Sequence, residues 1–130
     1  MNANPQPWLF DCGAKPQVLR DLVREVGSLP SSYLKLLAIG NGGEVGLIVS
    51  PFILCLDSAE HALDYWRSGT YTMNDIFVFG SSGGSSLFAF DLRKSGEFSV
   101  LEFDPIDPEG SIEVVAPDFD GLLELVKHDG

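Results

Sequence analysis

The segment Gly80–Gly84 holds the residues whose types and spacing come closest to a catalytic motif. It satisfies the pattern G-x-S-x-G with Ser82 as the nucleophile, and Asp104 and His128 follow in the chain order of a hydrolase triad. A nucleophile of this kind sits where a strand enters a helix, whereas residues 85–91 alternate in the manner of a strand. We therefore expect a glycine-rich hairpin turn, and a small serine hydrolase that uses Ser82 stands as an alternative.

The sequence also lacks the usual patterns of cofactor and metal sites. The glycine-rich segment has neither the lysine and following helix of a P-loop nor the G-x-G-x-x-G spacing of a dinucleotide fold. His61 and His128 have no histidine partner four residues away, and no cysteine lies near either of them. Cys12 and Cys55 lack the C-x-x-C spacing of a zinc site and are too few for a disulfide framework. We expect no cofactor, no metal ion and two reduced, buried thiols.

The charge of the chain is negative and unevenly distributed. Eight Lys and Arg residues stand against nineteen Asp and Glu residues, which gives a formal net charge of −11. Such a field repels nucleic acid and anionic membranes and attracts basic proteins, although net charge also serves solubility alone. The stretch between Lys94 and Lys127 contains no basic residue and holds these acids: Glu97, Glu102, Asp104, Asp107, Glu109, Glu113, Asp118, Asp120 and Glu124.

Three of these acids form a short acidic segment. Asp104, Asp107 and Glu109 alternate with Pro105 and Pro108 but miss the D-x-D-x-D-G pattern of a calcium loop. The segment is therefore either a solvated loop or a docking surface for a basic partner.

The elements that must position these residues follow from hydrophobic periodicity and from turn residues. Asp57 followed by Glu60 fits a capping arrangement at the start of one helix. The predicted helices cover residues 16–26, 30–40, 57–69 and 117–127, and the predicted strands cover residues 45–49, 52–56, 76–79, 87–92, 98–103 and 112–115. This order predicts an α+β fold in which helices pack on an antiparallel sheet of about six strands.

The chain has the size and composition of one domain. We expect residues 1–130 to form a single domain, with residues 1–15 as an N-terminal arm. No stretch reaches the ~18 uninterrupted apolar residues of a membrane span, and the first residues lack the basic and apolar regions of a signal peptide. We therefore expect a cytoplasmic protein that binds neither membrane nor nucleic acid.

Several segments together resemble the signatures of the SUKH superfamily. Residues 29–37, which read LPSSYLKLL and close in the NGGE of residues 41–44, resemble its opening signature. Residues 76–84, which read IFVFGSSGG and lead into LFAFD, are similar to its second signature, although Ser85 replaces a further glycine. The helix that begins at Asp57 and the residues 114–123 also fall where that family has comparable elements. The resemblance covers residues 16 to 127 in order.

The resemblance implies an α+β domain that binds proteins and carries no catalytic residues. Bacterial members are commonly immunity proteins that neutralise polymorphic or contact-delivered toxins, often nucleases or deaminases, and fungal relatives act in the regulation of cell-wall assembly. We therefore expect an immunity protein that binds a toxin domain with a basic surface. The alternative is a regulatory scaffold or adaptor of the cell-wall-regulator type.

The expected partner-binding residues combine charge with aromatic anchors. Acidic side chains would steer a basic toxin and cover groups meant for phosphate, and exposed aromatic side chains would anchor the interface. Packing in the core remains the other interpretation of the aromatic residues. The expected residues are Glu44, Asp104, Asp107 and Glu109 for charge, with Trp66 and Tyr71 as anchors.

Overall fold

The computed structural model describes residues 8–10, 12–68, 75–94 and 96–127, and within them it shows an α+β fold. The helices are α1 (Pro16–Val26), α2 (Ser31–Ile39), α3 (Ala59–Ser68), α4 (Pro108–Ser111) and α5 (Phe119–Leu123). The strands are β1 (Gly43–Gly46), β2 (Ile53–Leu56), β3 (Ile76–Ser81), β4 (Leu87–Asp91), β5 (Val100–Phe103) and β6 (Glu113–Ala116). None of the helices in these residues is long and apolar enough to cross a membrane.

The six strands form one sheet in the order of the sequence, and each strand is antiparallel to its neighbours. Successive connections therefore alternate between the two ends of the sheet. One end, which we call the turn end, holds residues 47–52, 82–86 and 104–112. The opposite end, the crossover end, holds α3 between β2 and β3 and the connection 92–99 between β4 and β5.

An aromatic cluster in the main core fixes the helices on one face of the sheet. Tyr33 of α2 is fully buried, and its ring centroid lies 6.1, 5.7, 5.1 and 5.6 Å from those of Phe77, Phe79, Phe90 and Phe119. Each aromatic pair adds about 1 kcal/mol beyond the area that it buries. Since these rings come from α2, α5, β3 and β4, their contacts hold two helices against the centre of the sheet.

The opposite face of the central strands is apolar as well. A second cluster there contains Ile76, Val78, Leu87, Ala89, Leu101 and Phe103, all of them buried, and Tyr65 packs against it. Strand β3 therefore contributes buried residues to both faces, which is why its sequence is an unbroken apolar run.

Glycine and proline set the bounds of the first two helices as the sequence predicts. Pro16 occupies the first turn of α1, and Gly27 ends it with φ 105°. Helix α2 follows Pro30 and ends at Gly40. Gly42 has φ 107°, and a Cβ there would lie 2.9 Å from the carbonyl oxygen of Leu56, so only glycine fits this approach of the chain to β2.

Some predicted bounds are wrong. Strand β1 begins at Gly43 and ends at Gly46, earlier than the predicted 45–49, because residues 47–52 turn the chain toward β2. The last helix covers only Phe119–Leu123, with Asp118 as its cap. The acidic segment contains the short helix α4, which was not predicted.

Two local predictions also fail on specific side chains. Asp57 does not cap α3, because Ser58 Oγ accepts the backbone N–H of His61 and Asn41 Oδ1 accepts that of Ala59. The two thiols are free but not buried: Cys12 is exposed in the irregular segment before α1, and Cys55 is half-buried on β2.

Candidate partner-binding surface

The connection between β5 and β6, residues 104–111, forms a loop whose shape is fixed by its own polar side chains; we call it the acidic loop. Asp104 Oδ1 accepts the N–H of Ile106 at 2.9 Å, and Asp107 Oδ1 accepts the N–H of Gly110 at 3.3 Å as the cap of α4. Ser111 Oγ accepts the N–H of Asp104 and donates to the carbonyl oxygen of Asp107, both at 2.7 Å. These bonds hold the loop through its own polar groups.

This hydrogen bonding leaves an isoleucine in the solvent. Ile106 is 90% exposed, the largest exposure among the large apolar side chains of the described residues. It lies between Asp104 and Asp107, and the exposed Glu109 follows on α4. A side chain this exposed contributes little to the core and is free to contact a partner.

The carboxylates of the acidic loop have no basic partner in the described part of the chain. Beside them, Glu102 on β5 lies directly opposite Glu113 on β6, so two like charges face each other across the strands. The loop and these two residues thus form a region of uncompensated negative charge. The ion pairs that do occur among the described residues are Asp21–Arg24, Glu25–Arg67, Asp91–Arg93 and Asp57–His61.

The glycine-rich segment forms the turn between β3 and β4, as predicted. Ser82 donates its N–H to the carbonyl oxygen of Ser86, and its Oγ accepts the N–H groups of Gly84 and Ser86 at 3.3 Å each. The segment joins two strands and not a strand to a helix, so it is not a nucleophile elbow. His128, the third residue of the supposed triad, lies outside the described residues.

Glu44 lies at the opposite edge of the sheet from the acidic loop. It is exposed on the edge strand β1, where its Oε2 accepts the thiol of Cys55 at 3.4 Å. Burial, together with the hydrogen bond to the Glu44 carboxylate, raises the pKa of Cys55, so this thiol is not an activated nucleophile.

Of the two expected aromatic anchors, Trp66 does not lie beside the acidic loop. Trp66 is half-buried on α3, its ring centroid 6.0 Å from that of Phe77. It lines a cleft of about 400 Å³ at the crossover end together with Leu92 and Phe98. Tyr71 lies outside the described residues. The structure therefore brings Asp104, Asp107 and Glu109 together and leaves Glu44 and Trp66 elsewhere.

His61 is engaged with neighbouring side chains. Its Nδ1 lies 3.5 Å from Asp57 Oδ1, and its ring stacks on Tyr65 at a centroid distance of 4.7 Å. Burial raises the pKa of Asp57, although the nearby His61 acts in the opposite direction. Within the described ranges, no three His, Cys, Asp or Glu side chains are arranged to hold a metal ion.

The comparison with protein families decides the relationship that the sequence motifs indicate. A model described as the SMI1 / KNR4 family (SUKH-1) matches residues 13–125, a range that includes every strand and every helix of the structure. The chain belongs to this family. The resemblance to the SUKH superfamily is thereby confirmed, and the α+β fold with its six antiparallel strands agrees with it. The comparison with curated proteins gave no match.

Sequence reasoning missed Ile106 as a candidate contact residue. The signal is visible in hindsight: a large apolar residue stands between Pro105 and Asp107 in a segment that otherwise contains only polar, glycine and proline residues. No other apolar residue follows it at helix or strand spacing within the segment, so the segment has no apolar face that could pack on a core.

Proposed function

We propose that this domain binds another protein without catalysis and acts as an immunity protein that neutralises a toxin with a basic surface. The family relationship supports a protein-binding role. The observation that carries the proposal is the acidic loop, in which Asp104, Asp107 and Glu109 flank the 90%-exposed Ile106 and have no ion-pair partner among the described residues.

The physical argument rests on charge and on apolar contact. Unpaired carboxylates raise the rate at which a basic partner is captured, because they attract it over a Debye length of about 8 Å. A cation from the partner would also relieve the repulsion between Glu102 and Glu113. Ile106 then supplies an apolar contact that slows dissociation. A surface of this kind covers the cationic groups by which a nuclease holds phosphate.

The test is affinity capture of the tagged protein from extracts of its own cells at low and at moderate salt, with the captured proteins identified by mass spectrometry. The proposal predicts one stoichiometric basic partner, whose toxicity on expression disappears when this chain is co-expressed. The matched control is a bait with Asp107→Asn and Glu109→Gln, which should capture less of that partner at low salt. A scattered set of cell-envelope proteins would instead favour an adaptor, and a partner whose toxicity persists would contradict the proposal.

A further inference from the structure

The hairpin between β1 and β2 exposes three large apolar side chains. Ile48 is 61% exposed, Phe52 60% and Ile53 42%, and we call these three residues the hairpin patch. The backbone beneath them is well held. The N–H of Leu47 donates to the carbonyl oxygen of Phe52, and the N–H of Ile48 donates to that of Leu125, both at 2.8 Å. The patch is thus a fixed feature of the surface and not a frayed end.

Phe52 also adopts an unfavourable backbone conformation. Its φ is 71°, in the left-handed region that glycine and asparagine enter easily and bulky residues rarely adopt. Its ring is largely in solvent, so packing within the domain does not compensate for this conformation. Strained residues of this kind concentrate at binding and active sites. Core stability therefore gives no reason for phenylalanine at this position, whereas a contact with a partner does.

The hairpin patch and the acidic loop lie at the same end of the sheet. The order of the strands places the turn between β3 and β4 between them. That turn exposes only Gly83, Gly84 and Ser85. None of these residues carries a large side chain, so the turn presents no obstacle to a surface that approaches both regions. The turn end therefore offers apolar side chains on one side, small residues in the centre and negative charge on the other side.

We propose that the hairpin patch is the apolar half of the interface whose charged half is the acidic loop, and that the partner presents apolar side chains beside Lys and Arg. This inference rests on the proposed function. A second copy of the chain fits the surface poorly, since two turn ends in contact would place the negative charge of two acidic loops in one interface, in a chain of net charge −11. Charge complementarity therefore selects a basic partner.

The first experiment uses two short synthetic peptides of equal charge, one of alternating Lys and Leu and one of alternating Lys and Ser. Backbone amide NMR spectra of the whole chain are recorded as each peptide is added. The Lys–Leu peptide should shift the amides of residues 47–53 and 104–111 together and should bind about tenfold more tightly than the Lys–Ser peptide. The Lys–Ser peptide should shift the acidic loop alone.

The second experiment repeats the titration with variants. Each of the single variants, Ile48→Ser and Phe52→Asn, should reduce the ratio of the affinity for the Lys–Leu peptide to that for the Lys–Ser peptide to nearly one. Phe52→Asn should leave the melting temperature unchanged or raise it, because asparagine tolerates the positive φ. Ile39→Ser is the matched control, since Ile39 is 47% exposed on α2, away from the turn end. This control should retain the full preference.

The outcomes separate this inference from the proposed function. Equal affinity for the two peptides, or an unchanged preference in both hairpin variants, overturns the inference even if affinity capture has found a basic toxin. Failure of affinity capture with a retained Lys–Leu preference overturns the immunity role alone. Light scattering of the free chain tests whether a second copy occupies the hairpin patch. A dimer that Phe52→Asn dissociates would show that the patch joins two copies and would overturn the inference of a basic partner there.

Discussion

The acidic loop differs from the surface formed by α1, α3 and the end of β4 in what its carboxylates contact. On the second surface, Asp21, Glu25 and Asp91 each accept a hydrogen bond from an arginine. Those bonds lower the pKa of Glu25 and of Asp91. In the acidic loop, Asp104 and Asp107 accept backbone N–H groups, and among the described residues no ion pair involves them or Glu109. The comparison teaches that net charge alone does not distinguish one region of the surface from another, whereas the pairing of the charges does.

The strand connections at the two ends of the sheet also differ in apolar exposure, although Phe10, which is 63% exposed, lies beside Gly42 near the crossover end. The turn end carries Ile48, Phe52 and Ile106, all at least 60% exposed. In the described residues of the connection between β4 and β5, the large apolar side chains are Leu92 and Phe98, and both are half-buried against the core. We therefore propose that recognition occurs at the turn end, where the exposed apolar side chains of the connections are found.

The largest expected effect on this comparison comes from neutralising the acidic loop. The double variant Asp107→Asn with Glu109→Gln should slow association with the captured toxin by about tenfold at low salt and weaken its salt dependence. The matched control removes two exposed charges elsewhere, through Asp64→Asn and Glu97→Gln. Stopped-flow association rates over a range of salt concentrations measure both. Equal slowing by the two double variants would show that net charge, and not the loop, steers the partner.

A smaller effect separates the charge of Asp107 from its capping role. Asp107→Ala removes the acceptor for the N–H of Gly110 and should reduce the free energy of unfolding by about 1 kcal/mol. Asp107→Asn keeps an acceptor oxygen and should cost less than half of that, while both variants should slow association alike. Urea unfolding measures the stability of each. If the two variants were equally stable, the side chain would not hold the loop.

The smallest effect is expected on the ion-paired surface. Asp91→Asn should cost roughly 0.5 kcal/mol at neutral pH, because solvent reaches the exposed guanidinium of Arg93 and screens its ion pair with the half-buried Asp91. The folded-state pKa of Asp91 lies below its ordinary value of about 4. The contribution of ionised Asp91 to the free energy of unfolding is therefore complete above the ordinary pKa and is lost as the pH falls through the folded-state pKa. Unfolding of both proteins at a series of pH values checks this, and slower toxin association in the variant would contradict the assignment of this surface.

Much of the fold follows from the sequence because the spacing of apolar residues in helices and strands is a local pattern. Proline and glycine punctuate α1 and α2 where Pro16, Gly27 and Gly40 lie, and the apolar runs of β3 and β4 fall within the predicted ranges. Local patterns failed where distant side chains decide the outcome. The start of α3, for example, depends on Asn41, which comes from the end of α2 and accepts the N–H of Ala59.

The candidate site was predictable in part for the same reason. The acids Asp104, Asp107 and Glu109 are close in sequence, so their proximity in space follows directly. The exposure of Phe52 and Ile53 was not predictable, since an apolar pair after Ser50 and Pro51 suggests a buried strand. The left-handed backbone at Phe52 and the alternation of β2, which begins at Ile53, direct these side chains to the solvent.

The most direct test of the central claim, that the turn end binds the partner, is amide hydrogen exchange of the chain alone and in complex with the captured toxin. The account predicts slower exchange in residues 47–53, 83–86 and 104–111, with α1 and residues 92–99 unchanged. Slower exchange confined to α1 or residues 92–99, with the turn end unchanged, would contradict it.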